Sequence, residues 1–219
     1  MRILLFGATG MIGQGVLREC LHDPEVREVL VVGRASTGQR HAKLREHVLP
    51  DVADLAAIES ELVGVDACLF CLGVSAAGMS EARYTQLTHD LTLAVARTLL
   101  GIAPAMTFAY VSGQGTDASE RGRVMWARVK GRTENDLLRA GFAHAYMFRP
   151  GVIQPLHGIR SCTSLYRVLY AVLGPLVPLL RRVAPSAVTS TEQLGRAMLA
   201  VAKRGHPRPI LEMRDIVAF

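Results

Sequence analysis

Three glycines, each three residues after the last, follow the first apolar segment of the chain and constrain its fold more than any other feature. The run Arg2–Phe6 precedes Gly7, Gly10 and Gly13, and an amphipathic segment follows them. A strand, a glycine loop and a helix in this order can bind a dinucleotide pyrophosphate; the alternative is a tight β-α turn without a ligand. We expect the backbone of this loop to bind such a cofactor through Gly7, Thr9, Gly10, Met11, Ile12 and Gly13.

Apolar runs recur along the chain with helical patterns between them, which is typical of repeated β-α units around a parallel sheet. The sequence therefore predicts an α/β fold, a doubly wound parallel sheet of the Rossmann type, in a single domain over residues 1–219. Predicted strands are Arg2–Phe6, Val29–Val32, His47–Leu49, Ala67–Leu72, Thr107–Ser112, His144–Arg149 and Ile210–Met213. Predicted helices are Met11–His22, Ala53–Leu62, Ser80–Leu100, Gly122–Ala140 and one that follows an N-cap at Thr189 and ends at Lys203.

Composition narrows the class of ligand. The chain has 219 residues, half of them apolar, and a net charge of +6 that is spread along the sequence. A nucleic-acid surface needs clustered basic side chains, so we expect no nucleic-acid partner and favour a small anionic ligand or cofactor. His and Cys residues lack the spacings of metal ligands, and no metal site is predicted.

The cysteines predict a reducing environment. Cys20, Cys68, Cys71 and Cys162 show no disulfide framework, and the first strand begins at residue 2, which leaves no room for a signal peptide. We expect a cytoplasmic protein. Cys68 and Cys71 have the spacing of a redox pair but fall within a predicted strand, where they would point to opposite faces.

Residues 155–188 are predicted to form a small C-terminal cap over the sheet. The apolar run Leu165–Leu180 is interrupted by Arg167, Gly174, Pro175 and Pro178. A membrane-spanning helix needs about 20 apolar residues, so no transmembrane segment is predicted. Peripheral membrane contact or a dimer contact are the alternatives for this run, and the chain is expected to be a monomer or a dimer.

Arg34 predicts the type of dinucleotide. It stands about 20 residues beyond the glycine loop, where such sites place an acid on the ribose hydroxyl or a basic side chain on a ribose phosphate. A guanidinium suits a phosphate monoester, so NADP is favoured over NAD, unless Arg34 is only a solvated surface residue. Asp51 is expected to accept a hydrogen bond from the adenine. The backbone of Gly73 and Val74 is expected to lie against the ribose and pyrophosphate of the cofactor.

Four stretches of the chain together resemble the atypical branch of the short-chain dehydrogenase/reductase superfamily, near the Tat-interacting oxidoreductase-like and NmrA-like NAD(P)-binding proteins. These stretches are Gly7–Gly13, Val111–Asp117, Val129–Gly131 and Phe148–Gly151. In that superfamily a Ser after strand five binds the substrate carbonyl, a Tyr donates the proton, and a Lys four residues later binds the cofactor ribose. The resemblance assigns the first and last roles to Ser112 and Lys130, and cofactor contacts to Pro150, Gly151 and Val152.

Trp126 stands where this superfamily has the Tyr. An indole only donates hydrogen bonds, and the loss of general-acid assistance typically costs about 10²–10⁴ in rate. Trp126 is expected either to form a hydrophobic wall of the pocket or to stack on a planar ligand. Residues that could replace the Tyr by type are Tyr84, His89, His157 and Tyr166.

Three functional hypotheses follow. The first is an NADP-dependent oxidoreductase that acts on a small, largely apolar carbonyl substrate, with Ser112, Lys130 and Trp126 at the catalytic position. The alternative is a non-catalytic NADP-binding regulator or redox sensor, which the Trp at position 126 favours. A sugar-nucleotide epimerase or dehydratase is a third alternative.

Overall fold

The computed structural model describes residues 1–159 and 188–219. Most of the predicted cap, residues 155–188, lies outside the described residues, as do Tyr166, Cys162 and the run Leu165–Leu180. In the part that is described, none of the helices combines the length and the hydrophobicity needed to cross a membrane.

Seven parallel strands form the central sheet, in the order β3-β2-β1-β4-β5-β6-β9. The strand order reverses at β1, so β1 and β4 lie side by side and a crevice opens beyond their carboxyl ends, where this class of sheet binds its ligands. Two further strands, β7 and β8, pair in parallel as a separate ribbon. The strands are β1 Arg2–Phe6, β2 Glu28–Gly33, β3 Leu44–Val48, β4 Ala67–Phe70, β5 Thr107–Val111, β6 His144–Phe148, β7 Val152–Gln154, β8 Val188–Ser190 and β9 Ile210–Leu211.

Helices cover both faces of the sheet. Ile3 and Leu5 pack on the face that carries α1 and α6, whereas Leu4 and Phe6 pack on the opposite face against α2, α4 and α5. Alternate residues of one buried strand therefore serve two cores, as in a doubly wound fold. The helices are α1 Met11–His22, α2 Glu59–Leu62, α3 Glu81–Thr85, α4 Leu91–Ile102, α5 Met125–Arg139, α6 Thr191–Arg204 and α7 Met213–Ile216, with a 3₁₀ turn at Ala56–Ile58 and a π-turn at Gln86–Asp90.

The predicted fold class is confirmed. The differences fall at the ends of elements and in three short elements that were not predicted, β7, β8 and α7, the last of which replaces the end of the predicted strand Ile210–Met213. The third strand is Leu44–Val48 rather than His47–Leu49, because Leu44 pairs with Val29 at the sheet edge. The predicted helix start at Ala53 is replaced by a 3₁₀ turn that begins three residues later. The predicted N-cap at Thr189 is also wrong: Thr189 belongs to β8, and the Ser190 hydroxyl accepts the N–H of Gln193 to cap α6.

Two glycines allow α1 and α6 to pack closely. A Cβ on Gly15 would lie 2.6 Å from the Thr191 carbonyl oxygen, and a Cβ on Gly195 would lie 3.0 Å from the Gly15 carbonyl oxygen. Real Cβ atoms do not approach backbone oxygens at the first of these distances. The helix that begins at the glycine loop is therefore held by backbone-to-backbone contact with α6.

We expect Gly15→Ala to lower the free energy of unfolding by about 1–3 kcal/mol, because the added methyl group overpacks this contact. The matched control is Gly101→Ala in α4, where a Cβ would meet nothing within 4 Å. That variant should gain up to about 1 kcal/mol from helix propensity. Urea unfolding of both variants measures the difference, and equal stabilities would contradict the close contact.

Candidate cofactor and substrate site

The glycine loop joins β1 to α1 by a turn that leaves no room for two side chains. Gly7 has a φ of +80°, and a Cβ there would lie 2.7 Å from the carbonyl carbon of Cys71. A Cβ on Gly13 would lie 2.0 Å from the Gly7 carbonyl oxygen. Backbone packing alone therefore explains why glycine occupies both positions.

Gly10 is different, because a Cβ there would meet only the Gly7 carbonyl oxygen, at 3.3 Å. It is the N-cap of α1, no side chain caps this helix, and its first turn carries no acidic residue. Among the described residues, the amides of Met11 and Ile12 have no hydrogen-bond acceptor. A bare helix N-terminus of this kind attracts an anion, so the loop fits the pyrophosphate of a dinucleotide.

The loop after β2 carries the residues predicted to read the ribose. Arg34 is exposed and forms no ion pair with any described residue. Glu46 of β3, which was not predicted, accepts the Ser36 hydroxyl at 2.7 Å and the Thr37 N–H at 2.8 Å. Glu46 thus fixes the loop and occupies Ser36, while the Arg34 guanidinium stays available for a phosphate.

Asp51 lies in the loop after β3. It is exposed, and its carboxylate accepts the N–H of Ala53 at 2.9 Å, which makes a local turn and leaves further lone pairs for a ligand. Asp51, Arg34 and the glycine loop follow β3, β2 and β1, so they stand along the same carboxyl edge of the sheet.

A cleft of about 620 Å³ opens at this edge beyond β4, β5 and β6. It brings together residues from three loops, two helices and the first position of β7, which are far apart in the sequence. Of the predicted site residues it contains Val74, Ser112, Trp126, Lys130, Pro150, Gly151 and Val152; Ser75, Ala76, Ala77, Tyr84, Gly113, Gln114 and Gly115 also line it. Gly73 precedes this lining and has open space where a Cβ would stand.

The Ser112 hydroxyl is held by groups beneath the cleft. Its Oγ lies 2.5 Å from Oε1 of Glu134 and 3.1 Å from the Phe148 carbonyl oxygen. Both partners are acceptors, and Ser112 is 4% exposed. The hydroxyl proton is therefore committed to Glu134 in this structure, and donation to a substrate carbonyl would require that bond to break.

Glu134 is the centre of a buried ion network that was not predicted. Its carboxylate is completely buried and binds the Arg149 guanidinium in a bidentate manner, with Nε at 3.0 Å from Oε1 and Nη2 at 2.5 Å from Oε2. Arg149 also donates from Nη1 to Glu212 at 2.9 Å. The network ties α5 to β6 and to the start of α7. The sequence signal was the position of Glu134 four residues after Lys130, on the same helical face.

Lys130 lies at the base of the cleft, where its ammonium donates to the Ser112 carbonyl oxygen. Burial lowers the pKa of Lys130 to about 8, although the neighbouring Glu134 carboxylate opposes this shift. A close contact fixes the helix beneath it, since a Cβ on Gly131 would lie 1.8 Å from the Asp117 carbonyl oxygen. The ammonium thus combines a fixed position with a pKa near the neutral range.

Trp126 forms one wall of the cleft, one turn before Lys130. A Cβ on Gly115 would lie 3.5 Å from Cη2 of the indole, so the ring packs along the loop that follows β5. Tyr84 is buried and lines the same cleft. His89 instead binds Asp90 and Asp136, outside the cleft lining. Of these two candidates for a replacement acid, Tyr84 therefore lines the cleft and His89 does not.

His157 lies away from the cleft, near the first turns of α1. Its Nε2 is 2.6 Å from Glu192 of α6. It shares a small cavity with Gln14 and Arg18 of α1. Its position therefore separates it from Lys130 and Trp126.

The cysteines that the structure describes are buried or partly buried: Cys20 and Cys68 lie in the core, and Cys71 packs against it. Cys68 belongs to the core on one face of the sheet and Cys71 packs against the core on the other. Burial raises the pKa of both thiols. Across residues 1–159 and 188–219, His, Cys, Asp and Glu form no group of three or more suited to a metal ion.

Comparison with known proteins identifies the family. The model of the NAD dependent epimerase/dehydratase family matches residues 3–118, which is more than half of the chain. The chain belongs to this family. The resemblance to the short-chain dehydrogenase/reductase superfamily is thereby confirmed, since this family is part of it.

Curated fungal relatives match most of the chain. The mitochondrial protein fmp52-1 of Aspergillus terreus is 32% identical over 159 residues, which span 69% of this chain and 66% of that protein. The match thus covers slightly less than two thirds of the relative. The mitochondrial protein fmp52-2 of the same organism is 25% identical over 97% of this chain and 94% of its own length. The predicted cytoplasmic location is wrong on this comparison, because these relatives are named as mitochondrial proteins.

Solved structures share the fold at low identity. The Bordetella bronchiseptica enzyme WbmF in complex with NAD⁺ has a TM-score of 0.71 and 13% identity, over 99% of this chain and 76% of that one. A short chain dehydrogenase from Burkholderia cenocepacia in complex with NADP has a TM-score of 0.69 and 11% identity, over 99% and 89%. The chain therefore has the NAD(P)-binding fold, and these neighbours include both dinucleotides.

We expect the buried Lys130 to make stability depend on pH. Lys keeps a pKa of about 10.4 in an unfolded chain, so between about pH 8 and pH 10 the unfolded state binds more protons than the folded state. The contribution of Lys130 to the free energy of unfolding therefore rises with pH over this range. Relative to Lys130→Met, the wild type should gain about 1–3 kcal/mol in free energy of unfolding between about pH 7.5 and pH 10.

Lys203→Met is the control for this measurement. Burial lowers the pKa of Lys203, but hydrogen bonds to Asp23 and Glu25 outweigh that effect and raise it. Lys203 therefore stays mostly protonated in both states over this window, and its difference from wild type should be nearly constant, with at most a small fall towards pH 10. Urea unfolding at several pH values gives both curves, and a flat difference for Lys130→Met would show that this ammonium is not desolvated.

Proposed function

We propose that this chain is an NADP(H)-dependent oxidoreductase that acts on a small, neutral and largely apolar carbonyl compound. The observation that carries the proposal is the cleft at the carboxyl ends of β4, β5 and β6, which joins Lys130 and Trp126 at the sheet edge where the glycine loop also ends. When bound, a reduced nicotinamide dinucleotide would supply a hydride for a carbonyl carbon.

Different residues would bind different parts of the cofactor. The amides of Met11 and Ile12 would hold the pyrophosphate, because α1 begins there without a side-chain cap. The Lys130 ammonium would donate to the ribose hydroxyls while it keeps its bond to the Ser112 carbonyl. Pro150 and Gly151 would contact the carboxamide through their backbone.

Lys130 is also the group proposed to hold the proton for the substrate oxygen. The indole of Trp126 has no proton to give at working pH. A lysine whose pKa is about 8 is mostly protonated near neutrality and can act as a general acid. Tyr84, in the same cleft, is the second residue that could take part in this transfer.

The preference for NADP over NAD is proposed from Arg34. Its guanidinium is exposed after β2, and no described carboxylate pairs with it. An unpaired guanidinium can bind a ribose phosphate with two parallel hydrogen bonds. Asp51 is proposed to accept a hydrogen bond from the adenine, and Gly73 and Val74 are proposed to contact the ribose and pyrophosphate.

The lining of the cleft supports the proposed substrate class. Val74 and Val152 are exposed at 36% and 46% and line the cleft together with Trp126. Of the described residues in this lining, only Lys130 carries a charge. The described lining offers an anionic compound no arginine, and the Lys130 ammonium already donates to the Ser112 carbonyl, so a neutral substrate fits better.

A second candidate function is a nucleotide-binding regulator without turnover. Two observations favour it: an indole occupies the position of the usual phenol, and the Ser112 proton is committed to Glu134. Cofactor occupancy would then change a partner interaction. The names of the relatives favour a mitochondrial location for either function, and the partners, the oligomeric state and the cap at residues 155–188 remain proposals from the sequence.

Trp126 is the single tryptophan of the chain, so its fluorescence can report cofactor binding directly. We expect Arg34→Ala to weaken NADPH binding by about 1.5–3 kcal/mol, the range for a hydrogen bond to a charged group, with little change for NADH. Gly10→Val should abolish the binding of both, because its side chain would fill the space of the pyrophosphate.

The matched control is Arg97→Ala, which removes an exposed arginine from α4, away from the cleft lining. Its affinities should equal those of wild type. If Arg34→Ala loses equal affinity for NADPH and NADH, Arg34 does not bind the ribose phosphate. Normal binding by a folded Gly10→Val protein would reject the loop as the cofactor site.

Trp126→Tyr separates the two candidate functions. A phenol one turn before the Lys130 ammonium should have a lowered pKa and regain general-acid assistance. We expect NADPH oxidation with a panel of aldehydes and ketones to rise by about 10²-fold or more, the lower end of the range for that assistance.

Thermal unfolding of the same preparation provides the control, because the smaller ring leaves a cavity that can cost a few kcal/mol. A stable variant that binds NADPH and reduces none of the compounds would support the regulator over the enzyme.

A further inference from the structure

The polar side chains of the cleft differ in whether a neighbour already binds them. The Ser112 hydroxyl donates to Glu134, and the Lys130 ammonium donates to the Ser112 carbonyl. Ser75 accepts the N–H of Ala77 through its hydroxyl. By contrast, the side-chain amide of Gln114 forms no hydrogen bond with any residue in the described ranges.

The backbone fixes where this amide lies. Gln114 stands between Gly113 and Gly115, whose φ angles of +138° and +86° suit glycine alone. Its own N–H donates to the Pro150 carbonyl at 2.8 Å. The loops after β5 and β6 are thus joined at this residue, which leaves the side chain rather than the backbone free to meet a ligand.

The amide lies directly over Gly151. A Cβ on Gly151 would lie 2.3 Å from Oε1 of Gln114, so only a glycine there admits the amide in this position. On the other side, Gly115 lies against the ring of Trp126. Gln114 therefore sits between the turn proposed to face the carboxamide and the aromatic wall of the cleft.

A primary amide is suited to both members of a carbonyl and alcohol pair. Its N–H groups donate to a carbonyl oxygen, and its carbonyl oxygen accepts from a hydroxyl. A carboxylate or phosphate ligand would instead favour a guanidinium. The nearby Arg149 cannot serve, because Glu134 and Glu212 already bind it.

We propose that Gln114 binds the oxygen of a neutral carbonyl or hydroxyl substrate, the role that Ser112 was expected to have. This inference rests on the proposed function, since it requires the substrate to enter this cleft. Gln114 is a substrate-binding residue in this scheme, and it neither gives nor takes a proton.

The test uses benzamide, a neutral carbonyl compound that a nicotinamide cannot reduce, together with the full chain and saturating NADPH. Isothermal titration calorimetry should detect benzamide binding to wild type and find it at least fivefold weaker for Gln114→Met, which keeps the length of the side chain but removes both hydrogen-bonding groups. Benzoate should bind more weakly than benzamide to wild type. The matched control is Gln86→Met, an exposed glutamine outside the cleft lining, which should behave as wild type.

Turnover provides a second readout. With any aldehyde that the wild type reduces, Gln114→Met should raise KM more than it lowers kcat, whereas loss of a proton donor would lower kcat. Unchanged benzamide affinity in Gln114→Met, tighter binding of benzoate, or a larger loss in Ser112→Ala would each overturn the inference. Failure of NADPH itself to bind is a separate result, which rejects the proposed function before benzamide is added.

Discussion

A single buried carboxylate organises the edge of the sheet where the site lies. Glu134 has no exposed surface, so its charge is stable only because Arg149 and Ser112 donate to it. Removing one partner of such a pair typically costs about 3–5 kcal/mol. The same bonds hold α5 against β5 and β6, and through them Lys130 reaches the Ser112 carbonyl. The position of the proposed catalytic lysine is therefore a consequence of an ion pair that touches no ligand.

The parts of the fold that local sequence determines were predicted with correct bounds. β1 and α1 match the prediction because the apolar run, the three glycines and the amphipathic segment are contiguous. The Glu134 network could not be found in the same way. Arg149 and Glu212 lie 15 and 78 residues further along the chain, and a glutamate in a helix with a charged face predicts exposure to solvent. Only its spacing from Lys130 indicated that it shares the inner face.

Errors in the prediction fall where tertiary pairing decides. Thr189 has the spacing of an N-cap, but its pairing with Ile153 places it in β8 and moves the cap to Ser190. The edge strand β3 is half-exposed and lacks a clear apolar alternation, so its register follows from pairing with β2 rather than from its own residues. The residues assigned through family resemblance do gather in one cleft, yet resemblance alone gave no information on where the Ser112 hydroxyl points.

Two features of the site are linked by chemistry: Trp126 in place of the usual Tyr, and the lowered pKa of Lys130. A phenol beside a lysine needs that lysine charged at all times, whereas Trp126 removes this requirement and leaves Lys130 free to change its charge near neutral pH. Burial favours the neutral amine and Glu134 favours the ammonium, so the balance between them determines whether a proton is available. Gln114 carries no charge and does not disturb that balance. In the part of the cleft that the structure describes, one titrating amine, one neutral amide and apolar walls suit the proposed neutral carbonyl, and no arginine lines it to bind an anionic substrate.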